Sequence, residues 1–279
     1  MTEDCPDPLP FFDRDAWRAW SPMLYHVVET HVPAEVLARF SDEVEPSWIE
    51  WLHKEASHAT GRAFDLVESI RAALRVHFEG IRVFHGTRLT SLEDVATRGF
   101  VAWDEASLMQ AARARFGGVV QAQALERAIA QARPDVRAGA VYTFSALSVA
   151  LDVHDDDDPV GVIPAFAAAG GEWLRAVARH MDADVAVVPV PTTGYLFALD
   201  IPWRQCSDDM QRSIAQHALT TSLISARLDR SRYRMASGMD CVDISSDVPA
   251  SAIAAFAETD RLAGRPIRPD ELLWTPWPP

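Results

Sequence analysis

The densest chemistry in this chain lies in three consecutive residues, His85-Gly86-Thr87. A histidine after a β-prone run can offer a ring nitrogen to a hydroxyl group. The glycine behind it lets backbone amide groups approach a planar amide, and a threonine adds one more hydroxyl. Tyr142 lies in a second β-prone run, and its ring can stack on a flat cationic ring, with area burial and cation–π attraction together worth about 1 kcal/mol or more. A carboxylate near such a ring steadies positive charge that develops during bond breaking. Late in the chain the acids that could serve are Asp240 and Asp243, shortly before Val248-Pro249, and Glu258 and Glu271 after it. Taken singly, each feature also has an ordinary reading: His-Gly-Thr is a common polar turn, and a strand tyrosine is usually a core ring.

The elements that must position these residues can be read from periodicity. Ile81-Arg82-Val83-Phe84 is expected to be a short strand ending at His85-Gly86. Ser91 then reads as a helix N-cap, and Gly99 as the C-terminal stop. Residues 105–133 look helical, broken at Gly117-Gly118 and ended by Pro134. Further strands are expected at 140–144, 195–201 and 241–244, each bounded by Pro or Gly. Before residue 80 the chain is helical and rich in aromatic residues, with Trp17, Trp20, Tyr25, Trp48 and Trp51. Phe64, Val67, Ile70 and Leu74 follow a spacing of three or four, which suggests one helix from about Pro46 to His77. The expected architecture is α+β: a helical N-terminal region over residues 1–79, then a domain over 80–279 with a mixed, mainly antiparallel sheet.

A strand ending in His-Gly-Thr, a strand bearing Tyr and a late strand bearing an acid together resemble the His-Tyr-Glu class of ADP-ribosyltransferases, the diphtheria-toxin-like and poly-ADP-ribose-polymerase-like enzymes. Arg82 to Trp103 looks like the first motif, with the small helix and the Gly99-Phe100 stop. Val141-Tyr142-Thr143-Phe144-Ser145 is similar to the second, and the strand before Pro202 to a family core strand. The third motif departs, since the family's Glu before a Val-Pro turn is here an Asp, shorter by one methylene; the resemblance implies Asp240, with Asp243 as the alternative, and Glu258 and Glu271 have no matching position. The resemblance implies that NAD is the substrate and that its nicotinamide–ribose bond is cleaved. It gives His85, Tyr142 and Asp240 catalytic roles, and His85, Gly86, Thr87 and Tyr142 contacts with NAD. No metal is implied. The acceptor is expected to be a macromolecule, a protein before others. Toxin-like members would also have a neutralising partner. A NAD glycohydrolase, or an inactive module that binds NAD or ADP-ribose, is the alternative. The region before residue 80 is expected to select a partner or cover the cleft.

Composition narrows the field further. A chain of 279 residues, 48% hydrophobic and 24% charged, can bury a substantial core. Its formal charge of −14 disfavours general binding to nucleic acid or to anionic membranes. Cys5, Cys206 and Cys241 include no CxxC pair, which argues against a disulfide framework or thiolate zinc. Met1-Thr2-Glu3-Asp4 is acidic where a secretory signal is basic, so a cytoplasmic protein is expected. The run Asp155–Asp158 lacks the spacing of a calcium loop, and His53 and His58 lie off a common helix face. Arg227, Arg230, Arg232 and Arg234 form the basic cluster, which could contact phosphates or simply balance nearby acids. The Arg-Ser-Glu transferase class is excluded by order, because Glu43-Val44-Glu45 precedes every other motif. Neither Gly-x-Ser-x-Gly nor Gly-x-Gly-x-x-Gly occurs.

Overall fold

Residues 10–39, 48–118, 120–151, 172–181, 192–227, 241–260 and 269–278 are described by a computed structural model of the chain, and they form an α+β fold. The strands are β1 (Phe11–Phe12), β2 (Gly80–Leu89), β3 (Val141–Phe144), β4 (Thr193–Pro202), β5 (Cys241–Ile244), β6 (Ile253–Glu258) and β7 (Thr275–Pro276). The helices are α1 (Trp17–His31), α2 (Ala34–Leu37), α3 (Trp48–Thr60), α4 (Leu66–His77), α5 (Glu93–Arg98), α6 (Glu105–Phe116), α7 (Ala122–Gln131), α8 (Pro134–Arg137), α9 (Leu147–Leu151), α10 (Glu172–Arg179) and α11 (Asp208–Arg227). The chain divides into two units, the first comprising residues up to Ile81 and again from Pro202, the second Arg82–Ile201 and the last strands.

In the first unit α11 packs on both α1 and α4. Met210, Ile214, Ala218 and Leu219 of α11 are buried, as are Trp20, Leu24 and Val28 of α1 and Ile70 and Leu74 of α4. The helical region is therefore completed by a segment from the second half of the chain, beyond the 1–79 range expected from sequence. The single helix expected over 46–77 is two helices. Gly61 turns with φ +67, and Asp65 caps α4 by accepting from the Val67 and Glu68 amides at 3.0 and 3.2 Å. His53 is used here too, its Nε2 accepting from the Leu66 amide at 3.0 Å. Arg14 is buried, and its Nε donates to His217 Nε2 at 2.7 Å. Burial, with the Arg14 guanidinium beside it, pushes the His217 pKa down to about 3.

In the second unit the strand order is β5-β3-β2-β4-β6-β7. The β2–β3, β3–β5, β4–β6 and β6–β7 pairs are antiparallel, so the sheet is open and mainly antiparallel as expected. Phe84, Leu151, Leu196, Ala198, Ala257 and Leu272 form its core. Helices α6, α7 and α10 make a second core, with Leu108, Phe116, Leu125, Ile129, Trp173 and Val177. Two bidentate ion pairs tie the strands: Arg82 to Asp200, both bonds 2.8 Å, and Arg88 to Asp260 at 2.8 and 2.9 Å. After α5, Gly99 turns with φ +72, and Phe100 and Val248 exchange two backbone bonds of 2.8 Å. The N-cap position of α5 is Leu92, one residue beyond the expected Ser91, although Ser91 Oγ still accepts from the Glu93 amide at 3.1 Å.

Two stability predictions follow from this packing. A Cβ on Gly99 would lie 2.0 Å from the Val248 carbonyl oxygen, and its φ already favours glycine. Gly99→Ala is expected to cost about 3 kcal/mol or more in urea denaturation; an unchanged midpoint would refute this packing. His217 stays neutral in the folded state, whereas the unfolded chain takes up its proton near the ordinary value of 6.5. Its contribution to stability is therefore complete above that pH and declines toward pH 3, by up to about 1.4 kcal/mol per pH unit. Between pH 7 and pH 5 the wild type should lose more stability than His217→Gln, and parallel losses would count against the assignment.

Candidate functional site

The cleft begins where β2 and β3 part. Phe84 is in register with Phe144, and among the described residues no later pair joins the two strands. Beyond that point, the His85 imidazole bridges the strands instead. Its Nδ1 lies 2.8 Å from the Tyr142 carbonyl oxygen. A carbonyl oxygen only accepts, so Nδ1 carries the proton and the neutral ring has its lone pair on Nε2. His85 is not at a strand end, as its sequence suggested. Strand β2 runs through it to Leu89, because Gly86 and Thr87 continue in extended backbone along β4's side of the sheet.

The opening is a cavity of about 460 Å³, within the usual range for a small-molecule site. His85, Gly86 and Thr87 line it from β2 and Tyr142 from β3, so four of the residues singled out from sequence meet in one place. The ring of Phe100 supports His85, with centroids 4.5 Å apart, and Phe100 meets Phe197 edge-on at 5.0 Å. Tyr142 donates its hydroxyl to the Val136 carbonyl at 3.1 Å, and the Arg137 guanidinium lies 5.8 Å from its ring centroid. Thus the Tyr142 hydroxyl is committed to the protein, and the ring carries its remaining chemistry.

The acids are placed less completely. Asp240 lies outside the described residues, as do Glu43-Val44-Glu45, Asp155–Asp158, Arg230, Arg232 and Arg234. Asp243 is exposed on β5 and in register with Tyr142, so their side chains leave the sheet on the same face. Cys241, on that face of β5, lines the cavity, whereas Val242 and Ile244 are buried on the other. Glu258 ends β6 opposite Tyr195, and Glu271 closes a short turn; neither lines the cavity. Arg227 ends α11 and bonds the Tyr25 hydroxyl.

Sequence reading missed the other walls of the cleft. Trp103 follows α5, Arg137 ends α8, and Trp173 on α10 donates Nε1 to the Leu108 carbonyl at 2.8 Å. A tryptophan just past the Gly99-Phe100 stop was the one local signal available. Among the described residues no cluster of His, Cys, Asp or Glu is arranged to hold a metal, and no helix is long and apolar enough to cross a membrane. Compared with family models, with curated proteins and with solved structures, the chain has no match.

Proposed function

We propose that the chain is an ADP-ribosyltransferase of the His-Tyr-acid class, taking NAD as its substrate and transferring ADP-ribose to a macromolecule, a protein first of all. The observation that carries this reading is that His85, Gly86, Thr87 and Tyr142 meet in one cavity, while β5, which bears Asp243, pairs directly with the strand of Tyr142. The resemblance in sequence is to three motifs far apart in the chain, and a shared cleft is what their joint action requires.

In this reading the nicotinamide ring lies on Tyr142, whose ring lines the cavity. The carboxamide meets the Gly86 backbone, and His85 Nε2 accepts from a ribose hydroxyl. The bond between ribose C1 and the pyridinium nitrogen breaks, its electron pair goes to that nitrogen, and neutral nicotinamide leaves. C1, now cationic in character, takes an electron pair from an acceptor oxygen or nitrogen, whose proton passes to a carboxylate or to solvent. Asp240 or Asp243 steadies the ribose cation, and fixed groups in a water-poor cleft need no reorganisation to do so. With water as acceptor, the same bond breaking makes the protein a NAD glycohydrolase.

Incubation with adenine-labelled NAD and cell lysate, alongside an assay of nicotinamide release, tests the reading. Labelled protein supports transfer, free ADP-ribose alone supports hydrolysis, and NAD binding without release supports an inactive module. His85→Ala should abolish release in a protein that still folds, with its melting temperature lowered by loss of the bond to the Tyr142 carbonyl; turnover retained in this variant would make His85 structural only. Tyr142→Ala should weaken NAD binding more than Tyr142→Phe, because stacking uses the ring; equal losses would argue against it. Asp243 leaves β5 on the face of Cys241 and Tyr142, both of which line the cleft, and Asp240 lies outside the described residues. One of Asp240→Asn and Asp243→Asn should lower the rate about 100-fold, with the other nearly silent. Full activity in both variants would remove this strand from the mechanism.

A further inference from the structure

Among the described residues, three bring full charges to the cavity lining: Asp94, Arg98 and Arg137. Asp94 and Arg98 are exposed, lie one turn apart on α5 and pair with each other at 3.3 Å. The lining is therefore net positive through Arg137, which is half-buried, in a chain whose formal charge is −14. Asp243, beside Tyr142 in the sheet, is not part of that lining. A cation set in a concave wall focuses its attraction on an anion that enters, and is screened less than one in open water.

The backbone on either side of Arg137 fixes where it stands. Just before it, the Val136 carbonyl accepts from the Tyr142 hydroxyl at 3.1 Å; shortly after it, the Gly139 amide donates to the Trp103 carbonyl at 2.8 Å. Tyr142 and Trp103 both line the cavity, so the segment that carries Arg137 is tied to two of its walls. At the start of α8, Arg133 holds the left-handed region at φ +56, the one non-glycine residue to do so among the described residues, and it clasps Asp135 through two bonds of 3.0 Å. Such a conformation persists only where its surroundings hold it, and such positions gather at ligand sites. The Arg137 guanidinium carbon lies 5.8 Å from the centre of the Tyr142 ring, within reach of a ligand that lies on that ring. A guanidinium presents several donors in a planar fork, so it can keep an acceptor of the protein and still offer a parallel pair of N–H groups to phosphate oxygens.

We propose that Arg137 anchors the diphosphate of the ligand that occupies this cleft. The identity of that anion rests on the NAD reading above. NAD carries its positive charge on the pyridinium and its negative charges on the diphosphate, so a fixed cation here sorts the two ends of the ligand, drawing the diphosphate in and turning the pyridinium away. ADP and adenosine differ only in the diphosphate, and the pair isolates this contact. In calorimetric titrations of full-length protein, ADP should bind the wild type more tightly than adenosine does. Arg137→Gln should weaken ADP about tenfold and leave adenosine within about twofold, with Arg137→Lys between, since lysine keeps the charge but not the fork. Rising salt should weaken ADP more steeply in the wild type than in Arg137→Gln. Equal losses for ADP and adenosine would make Arg137 only a support for Tyr142 and would overturn the proposal. So would unchanged ADP affinity in Arg137→Gln, or an equal loss in Arg98→Gln, which would spread the attraction over the wall. The titrations need no turnover, which separates the anchor from the reading above: a wild type that holds ADP through Arg137 but releases no nicotinamide from NAD would refute transfer and leave the anchor standing.

Discussion

The cleft depends on keeping β2 and β3 apart after their last shared pair, Phe84 with Phe144. Two antiparallel strands left to themselves would continue their ladder, because each unpaired backbone group removed from water is costly. Two interactions prevent this. Past the cleft, Arg88 reaches Asp260, which also accepts from the Gly194 amide at 3.1 Å, so the far end of β2 is held on the β4 side. At the fork the His85 imidazole supplies the donor that the Tyr142 carbonyl would otherwise take from a strand. The same bond sets the tautomer of the ring, so the geometry that opens the cleft also prepares Nε2 to accept.

Support for that histidine is equally specific. Phe100 can lie against His85 only because Gly99 turns the chain in the left-handed region with no room for a side chain, and because Val248 holds the Phe100 backbone by two reciprocal bonds. Phe197 and Trp277 continue the aromatic packing behind it, with centroids 5.8 Å apart. The opposing wall comes from helices with a core of their own, and Trp173 is fixed in that core by its bond to Leu108. Two separately packed bodies thus line one cavity, the arrangement that holds a ligand's contacts rigid on both sides.

Much of this was legible where local chemistry and tertiary packing agree. Val141–Phe144 and Cys241–Ile244 are short apolar alternations between turn residues, and they are strands. Strand β6, Ile253–Glu258, was missed because its run of alanines has helical propensity, which pairing with β4 overrides. Helix α11 was missed because its buried face includes Gln211, Thr221 and Ser222, which blur the apolar period. Their polar atoms are nonetheless satisfied locally: Ser222 Oγ donates to the Ala218 carbonyl at 2.8 Å, and Gln211 to the Trp203 and Cys206 carbonyls. His85-Gly86-Thr87 was recognised as chemistry but read as a turn, since nothing local signals that the strand continues. The wall residues Trp103, Arg137 and Trp173 come together only through the fold.

The region before residue 80 does not stand as a unit by itself. A region that merely selected a partner would be separable, with its own core and few dependents. Here α1 and α4 cover α11, a helix that follows the core strand β4 directly in the chain. Without residues 10–79, Ile214, Ala215, Ala218 and Leu219 would lose the neighbours that bury them, and Arg14 would no longer stand beside His217. Exposing such a face costs about 25 cal/mol for each Å² of apolar surface, enough over several residues to exceed the margin of an ordinary domain. The N-terminal helices are thus what buries α11, and the two stretches of chain make one unit with a shared core.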